Sequence, residues 1–262
     1  MQFNVKSHSI ALAAAAALSA GAFAAPAAAA TVEFSNITGT WSNATPSYAV
    51  NYSGNGTANA KATWGGGNKP SGYTFQGISP TSVNINGPGS YGPVDLGNFT
   101  HNNWPISGSS ITSLKLAIKM NVKIGAQDLG QRTFNFAFNH WETDNDPFWP
   151  RTPCANGQSQ SSSINSNGCA DRVTVTSLND SQTFEVDGAL YTLDFAGFLS
   201  NGQQVSEFWT KEKANNTAMF QASIKMVQSA VPEPSTWAMM IVGFGAAGAM
   251  VRSSRRRGAL AA

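Results

Sequence analysis

From residue 113 to 125 apolar and polar positions alternate without interruption. Leu114, Leu116, Ile118, Met120, Val122 and Ile124 share one face, and Lys115, Ala117, Lys119, Asn121 and Lys123 share the other. A period of two with one wet face predicts a half-buried antiparallel strand. Residues 133–138 repeat the pattern, with Phe134, Phe136 and Phe138 facing inward, and residues 125–132 would connect the two as a hairpin. Further strands are predicted at 32–41, 58–64, 82–85, 91–99, 172–178, 183–186, 190–195 and 218–227. Asn86-Gly87, Pro88-Gly89, Asp187-Gly188 and Asn201-Gly202 punctuate the gaps, and Asp187-Gly188 reads as a tight hairpin turn. The body's one helical candidate is 208–215. Many short strands separated by turns predict an all-β body, an antiparallel β-sandwich of jelly-roll type.

The ends break this pattern. Lys6 and His8 precede an uncharged, mostly alanine run to Ala30, the layout of an export leader. Cleavage before Thr31, or near Ala24, would release the body. At the other end no charge occurs between Pro234 and Val251, and Arg252, Arg255, Arg256 and Arg257 follow. That layout predicts a C-terminal transmembrane helix with its arginines on the cytoplasmic side, a transient anchor in the inner membrane. Pro232 and Pro234 resist helix extension upstream and hold an extended stretch that a processing enzyme could read. The organisation expected is 1–30 signal peptide, 31–228 body and 229–258 tail signal.

Composition changes the picture in two places. The formal charge of +2 is a product of the ends; without Lys6, Glu233 and the tail arginines the body is near −2. Its charges are scattered, which argues against nucleic-acid binding through a basic patch. The two cysteines, Cys154 and Cys169, flank a loop rich in Ser, Asn and Gly. In an exported chain a disulfide is the default for such a pair, with a thiolate metal pair as the rival.

Candidate chemistry gathers in two segments. His101 lies in Thr100-His101-Asn102-Asn103-Trp104-Pro105-Ile106, and His140 in His140-Trp141-Glu142-Thr143-Asp144-Asn145-Asp146. Each follows a strand, which predicts a sheet edge or the start of a loop. There the two histidines would hold the loops by structural hydrogen bonds. Glu142, Asp144 and Asp146, with Asp171 brought in by the disulfide, are hard oxygen donors suited to Ca²⁺, although Pro147 rules out an EF-hand. No motif calls for another cofactor. Trp104, Trp141 and Trp149 lie beside the motif segments and could stack on sugar rings. No nucleophile elbow, zinc helix or phosphate loop is present, and a glycosidase-like carboxylate pair at Glu142 with Asp144 or Asp146 is the one catalytic alternative.

The tail resembles a PEP-CTERM sorting signal: Pro232-Glu233-Pro234, then Trp237, a Gly-rich apolar run and Arg255-Arg256-Arg257. The body segments resemble the Thr-His-x-Asn subgroup of those proteins, through Thr100, His101, Asn103 and Pro105 and through His140, Glu142 and Thr143. The resemblance implies signal peptidase and an exosortase as partners. It further implies a place on the cell surface or in the extracellular matrix of a Gram-negative bacterium, in an exopolysaccharide or biofilm setting. The expected role is structural or adhesive and not catalytic; the alternative is a secreted carbohydrate-active enzyme.

Overall fold

The computed structural model describes residues 29–47, 50–66, 69–144, 153–177, 181–200, 203–228 and 234–259. Its strands are β1 (Ala30–Thr45), β2 (Val50–Ser53), β3 (Asn59–Trp64), β4 (Ser71–Gly77), β5 (Thr81–Ile85), β6 (Gly89–Asn103) and β7 (Ser113–Ile124). They continue with β8 (Gln127–Trp141), β9 (Asp171–Ser177), β10 (Ser181–Val186), β11 (Ala189–Ser200), β12 (Gln203–Val205), β13 (Glu207–Thr210) and β14 (Ala214–Gln228). All pairings between these strands are antiparallel. One sheet has the order β13-β9-β8-β7-β1-β5; the other runs β10-β11-β14-β6-β4-β3-β2, with β12 on β11.

The inner faces of the two sheets share one aromatic core. Trp41, Phe134, Phe136 and Phe138 come from the first sheet; Tyr73, Phe75, Phe99, Phe198 and Phe220 come from the second. Strand β7 buries the six apolar positions that its period marks and leaves its lysines exposed. The hairpin from β7 to β8 turns at Gly125 and Ala126, so the strands run further than the predicted loop at 125–132. Asp187 and Gly188 have φ of 51° and 73° and close the β10–β11 hairpin. A left-handed pair matches the twist of the flanking strands, and Asp and Gly tolerate it best.

Three expectations are corrected. Segment 208–215 is not a helix: Phe208 and Thr210 are buried in β13, paired with β9, and Lys213 at φ 56° turns the chain beside the start of β14. The jelly-roll expectation is too small, since sheets of six and eight strands exceed the eight strands of that fold. The transmembrane helix is also overturned. Helix α1 spans Pro234–Ala259, yet among the described residues no helix is long and apolar enough to cross a membrane. Polar Ser235 and Thr236 open it, and Arg252 closes the apolar run. The 237–251 run between them rises about 22 Å at 1.5 Å per residue, short of a hydrocarbon layer about 30 Å thick. Gly243, Gly245 and Gly248 dilute it further. The predicted leader, apart from its last two residues, lies outside the described residues.

Candidate functional site

Each motif segment starts in the last residues of a strand and runs past its end, with Trp104 to Ile106 beyond β6 and Glu142 to Asp144 beyond β8. His101 and Asn103 lie inside β6, and His140 lies inside β8; all three are buried. Alternation along the strands explains the placement. On β6, Phe99, His101 and Asn103 point inward while Thr100 and Asn102 are half-buried on the other side, where Thr100 Oγ1 meets Thr217 Oγ1 at 3.0 Å. On β8, Phe136, Phe138 and His140 point inward and Trp141 outward. The two histidines come from opposite sheets, and their rings meet edge to face with centroids 5.1 Å apart.

Each imidazole is held by a hydroxyl. His101 Nδ1 is 2.8 Å from Thr210 Oγ1, and that hydroxyl donates to the Asp171 carbonyl at 3.2 Å. With the threonine proton on the carbonyl, His101 Nδ1–H donates to Thr210 Oγ1; in the other tautomer the hydroxyl donates to Nδ1. His101 Nε2 is buried and has no hydrogen-bond partner. Burial, and then His140 nearby, hold the His101 pKa well below 6.5, so the ring is neutral. His140 Nδ1 is 2.8 Å from the Tyr73 hydroxyl, and its Nε2 is 3.2 Å from Glu142 Oε2. Burial, then Asp171 and Glu142, push the Tyr73 pKa well above 10, so Tyr73 keeps its proton. Trp64 stacks on His101 at 5.9 Å and meets His140 edge-on at 5.2 Å.

Three carboxylates complete the cluster. Glu142 accepts from Ser110 Oγ at 2.9 Å. Asp171 is fully buried: its Oδ1 accepts from Thr143 N at 2.7 Å and Thr143 Oγ1 at 3.1 Å, and its Oδ2 has no hydrogen-bond partner. Burial, then Glu142, raise the Asp171 pKa to about 8 against the bonds from Thr143; Glu212 adds to the rise. Ligand atoms of His101, His140 and Asp171 all lie within 4.8 Å of one another, as do those of Glu142, Asp171 and Glu212.

The Cys154–Cys169 disulfide forms, with Cα atoms 5.4 Å apart, and closes the predicted loop. It ends two residues before Asp171, and the Thr143 hydroxyl, whose one proton is shared between this oxygen and Asp171 Oδ1, lies 2.7 Å from the Cys169 carbonyl. The bridge thus fixes the approach to β9 and the carboxylate that β9 begins with.

The predicted oxygen set is brought together only in part. Glu142 and Asp171 meet, but Asp144 is exposed and stands outside both groups, and Asp146 lies outside the described residues. Glu212, Tyr73 and Thr210 joined the site without a sequence signal, because segment 208–215 reads as helical and β4 shows no alternation. Pro105 is exposed beyond β6. Among the tail residues, Pro232 and Glu233 lie outside the described residues, while Pro234, Trp237, Arg255, Arg256 and Arg257 fall within α1.

The outer face of the same strands carries a second arrangement. Trp141 of β8 pairs with Arg172 of β9, and Arg172 pairs with Trp209 of β13. The guanidinium sits 4.8 Å from the Trp141 ring and 5.9 Å from the Trp209 ring, and the two indoles are 6.3 Å apart. Trp141 is 46% exposed. Trp104 is half-buried under the Lys69 ammonium at 4.1 Å, and Trp149 lies outside the described residues.

Residues 230–257 match the PEP-CTERM protein-sorting motif. No curated protein matches the chain. The sorting motif implies an exosortase-dependent pathway to the cell surface, with the exosortase as partner. The match covers the tail alone and leaves the body to be read from its geometry.

Proposed function

We propose that the protein is an exported surface or extracellular-matrix component, cut by signal peptidase and processed by an exosortase, whose body adheres to exopolysaccharide without turning it over. The sorting motif supports the route. The Trp141–Arg172–Trp209 row carries the adhesive reading. Three neighbouring strands present two indoles and a guanidinium side by side on an outward sheet face. Indole faces stack on the apolar faces of sugar rings, while the guanidinium offers a planar fork of donors to hydroxyls or carboxylates. The convergence of His101, Asn103, His140, Glu142 and Thr143 on one buried site supports assignment of the body to the Thr-His-x-Asn subgroup, because scattered motif residues would not need to meet.

Affinity electrophoresis through gels cast with matrix polysaccharide tests the adhesive reading. The purified chain is expected to be retarded, and Trp141→Ala and Trp209→Ala are each expected to weaken binding about tenfold, the equivalent of about 1.4 kcal/mol. Migration of both variants unchanged from the parent chain would sink the proposal.

A further inference from the structure

The geometry points to a buried binding site for a divalent transition-metal ion of the zinc class, in which His101, His140 and Asp171 supply the ligands and Glu142 and Glu212 lie alongside. This site is separate from the outward tryptophan row and does not rest on the adhesive reading.

Two buried polar atoms without partners carry the inference. His101 spends Nδ1 on Thr210 and leaves Nε2 buried and unpartnered. Asp171 spends Oδ1 on Thr143 and leaves Oδ2 equally buried and unpartnered. A buried polar atom without a partner costs free energy. Neither atom has a hydrogen-bond partner in the protein, and one cation taking the place of the carboxyl proton would be met by both. The third ligand, His140, comes from the same sheet as Asp171, and the donor atoms of all three lie within 4.8 Å of one another. Ligands about 2.0–2.2 Å from a tetrahedral zinc ion stand about 3.4 Å apart, so closure needs shifts on the order of an ångström.

The surroundings fit a metal centre of this class. Thr210 already holds the distal nitrogen of His101, and Tyr73 holds that of His140, the outer partners that orient ligating imidazoles. Mixed imidazole and carboxylate donors suit zinc better than Ca²⁺, which takes six to eight oxygens. The dication would also offset the carboxylates gathered in the interior. Because His101 belongs to the second sheet and its co-ligands to the first, the ion would pin the two sheets together at this end.

The test is Zn²⁺ titration of the chelator-stripped full chain, disulfide intact, in competition with a chromophoric chelator. One Zn²⁺ per chain is expected, with Ca²⁺ failing to compete at millimolar concentration. Asp171→Asn keeps the side-chain size and the oxygen that Thr143 meets; it is expected to fold, by near-ultraviolet circular dichroism, and to lose affinity about 100-fold or more. Thr210→Val should lose about 10–100-fold through the outer partner alone. Asp144→Asn should change nothing. Absence of Zn²⁺ binding by the folded parent chain, preference for Ca²⁺, or undiminished affinity in folded Asp171→Asn would each overturn the site. Should Asp171→Asn not fold, His101→Gln is read in its place by the same criteria.

Discussion

Phe99→Ala is expected to cost about 3–5 kcal/mol of folding stability, the range for removing a buried aromatic ring. Phe99 is fully buried in β6 and is the point where both sheets meet. Its ring stacks on Phe138 at 5.0 Å and meets Tyr73 at 4.9 Å, Phe198 at 5.3 Å and Phe208 at 5.7 Å. Trp41 and Phe220 stand further out at 6.3 Å and 6.4 Å. Rigid rings on every side, anchored by paired strands, cannot collapse into the space, so the cavity term adds to the transfer term. His101 is two residues along the same face and shares Tyr73 as a neighbour, so the loss reaches the site as well. Urea unfolding of the purified chain checks this. Val227, 44% exposed on β14, provides the contrast: Val227→Ala should stay within about 0.5 kcal/mol. A Phe99→Ala cost as small as that of Val227→Ala would mean that the core is not packed as described.

In chelator-treated protein, stability is expected to fall by about 2 kcal/mol between pH 6.5 and about 8, through Asp171 alone. The folded Asp171 holds its proton up to about pH 8, whereas the unfolded chain releases it near 3.8. The native state therefore binds more protons across that window, and stability falls as pH rises through it. His101 acts with the opposite sign. Its folded pKa is depressed below 6.5, so below that pH the unfolded chain takes up a proton that the native state refuses, and stability is lost as pH falls. Below pH 6.5 the two slopes oppose each other; above it only Asp171 acts. Urea midpoints across this range, compared with Asp171→Asn, isolate the effect. The asparagine variant should lose the alkaline decline and keep the acid-side loss. An unchanged alkaline decline in that variant would mean that Asp171 is not the titrating group.

The strands legible in the sequence were those with one dry and one wet face. Strand β7 and the inner half of β8 alternate because lysine and asparagine mark the solvent side. Strand β4 escaped because Ser71, Gly72, Tyr73 and Phe75 are all buried, so no period appears. Strand β13 escaped because Lys211, Glu212, Lys213 and Ala214 favour a helix locally, and the pairing of β13 with β9 overrides that preference. The same masking hid Trp209 and Glu212. His101 and His140 were recognisable as unusual residues, but their meeting depends on which strands face each other across the core. Period two says which side a residue takes, and not which residue stands opposite. The tail was legible for another reason: its recognition depends on a linear motif, although the spanning helix expected from its uncharged run does not follow from that motif.

The intact mass of the protein recovered from its host's surface and medium tests the central claim, that this chain is a processed surface component. A product ending near Pro234, without Arg252 to Arg257, is the result predicted. A mass that retains those arginines would contradict it.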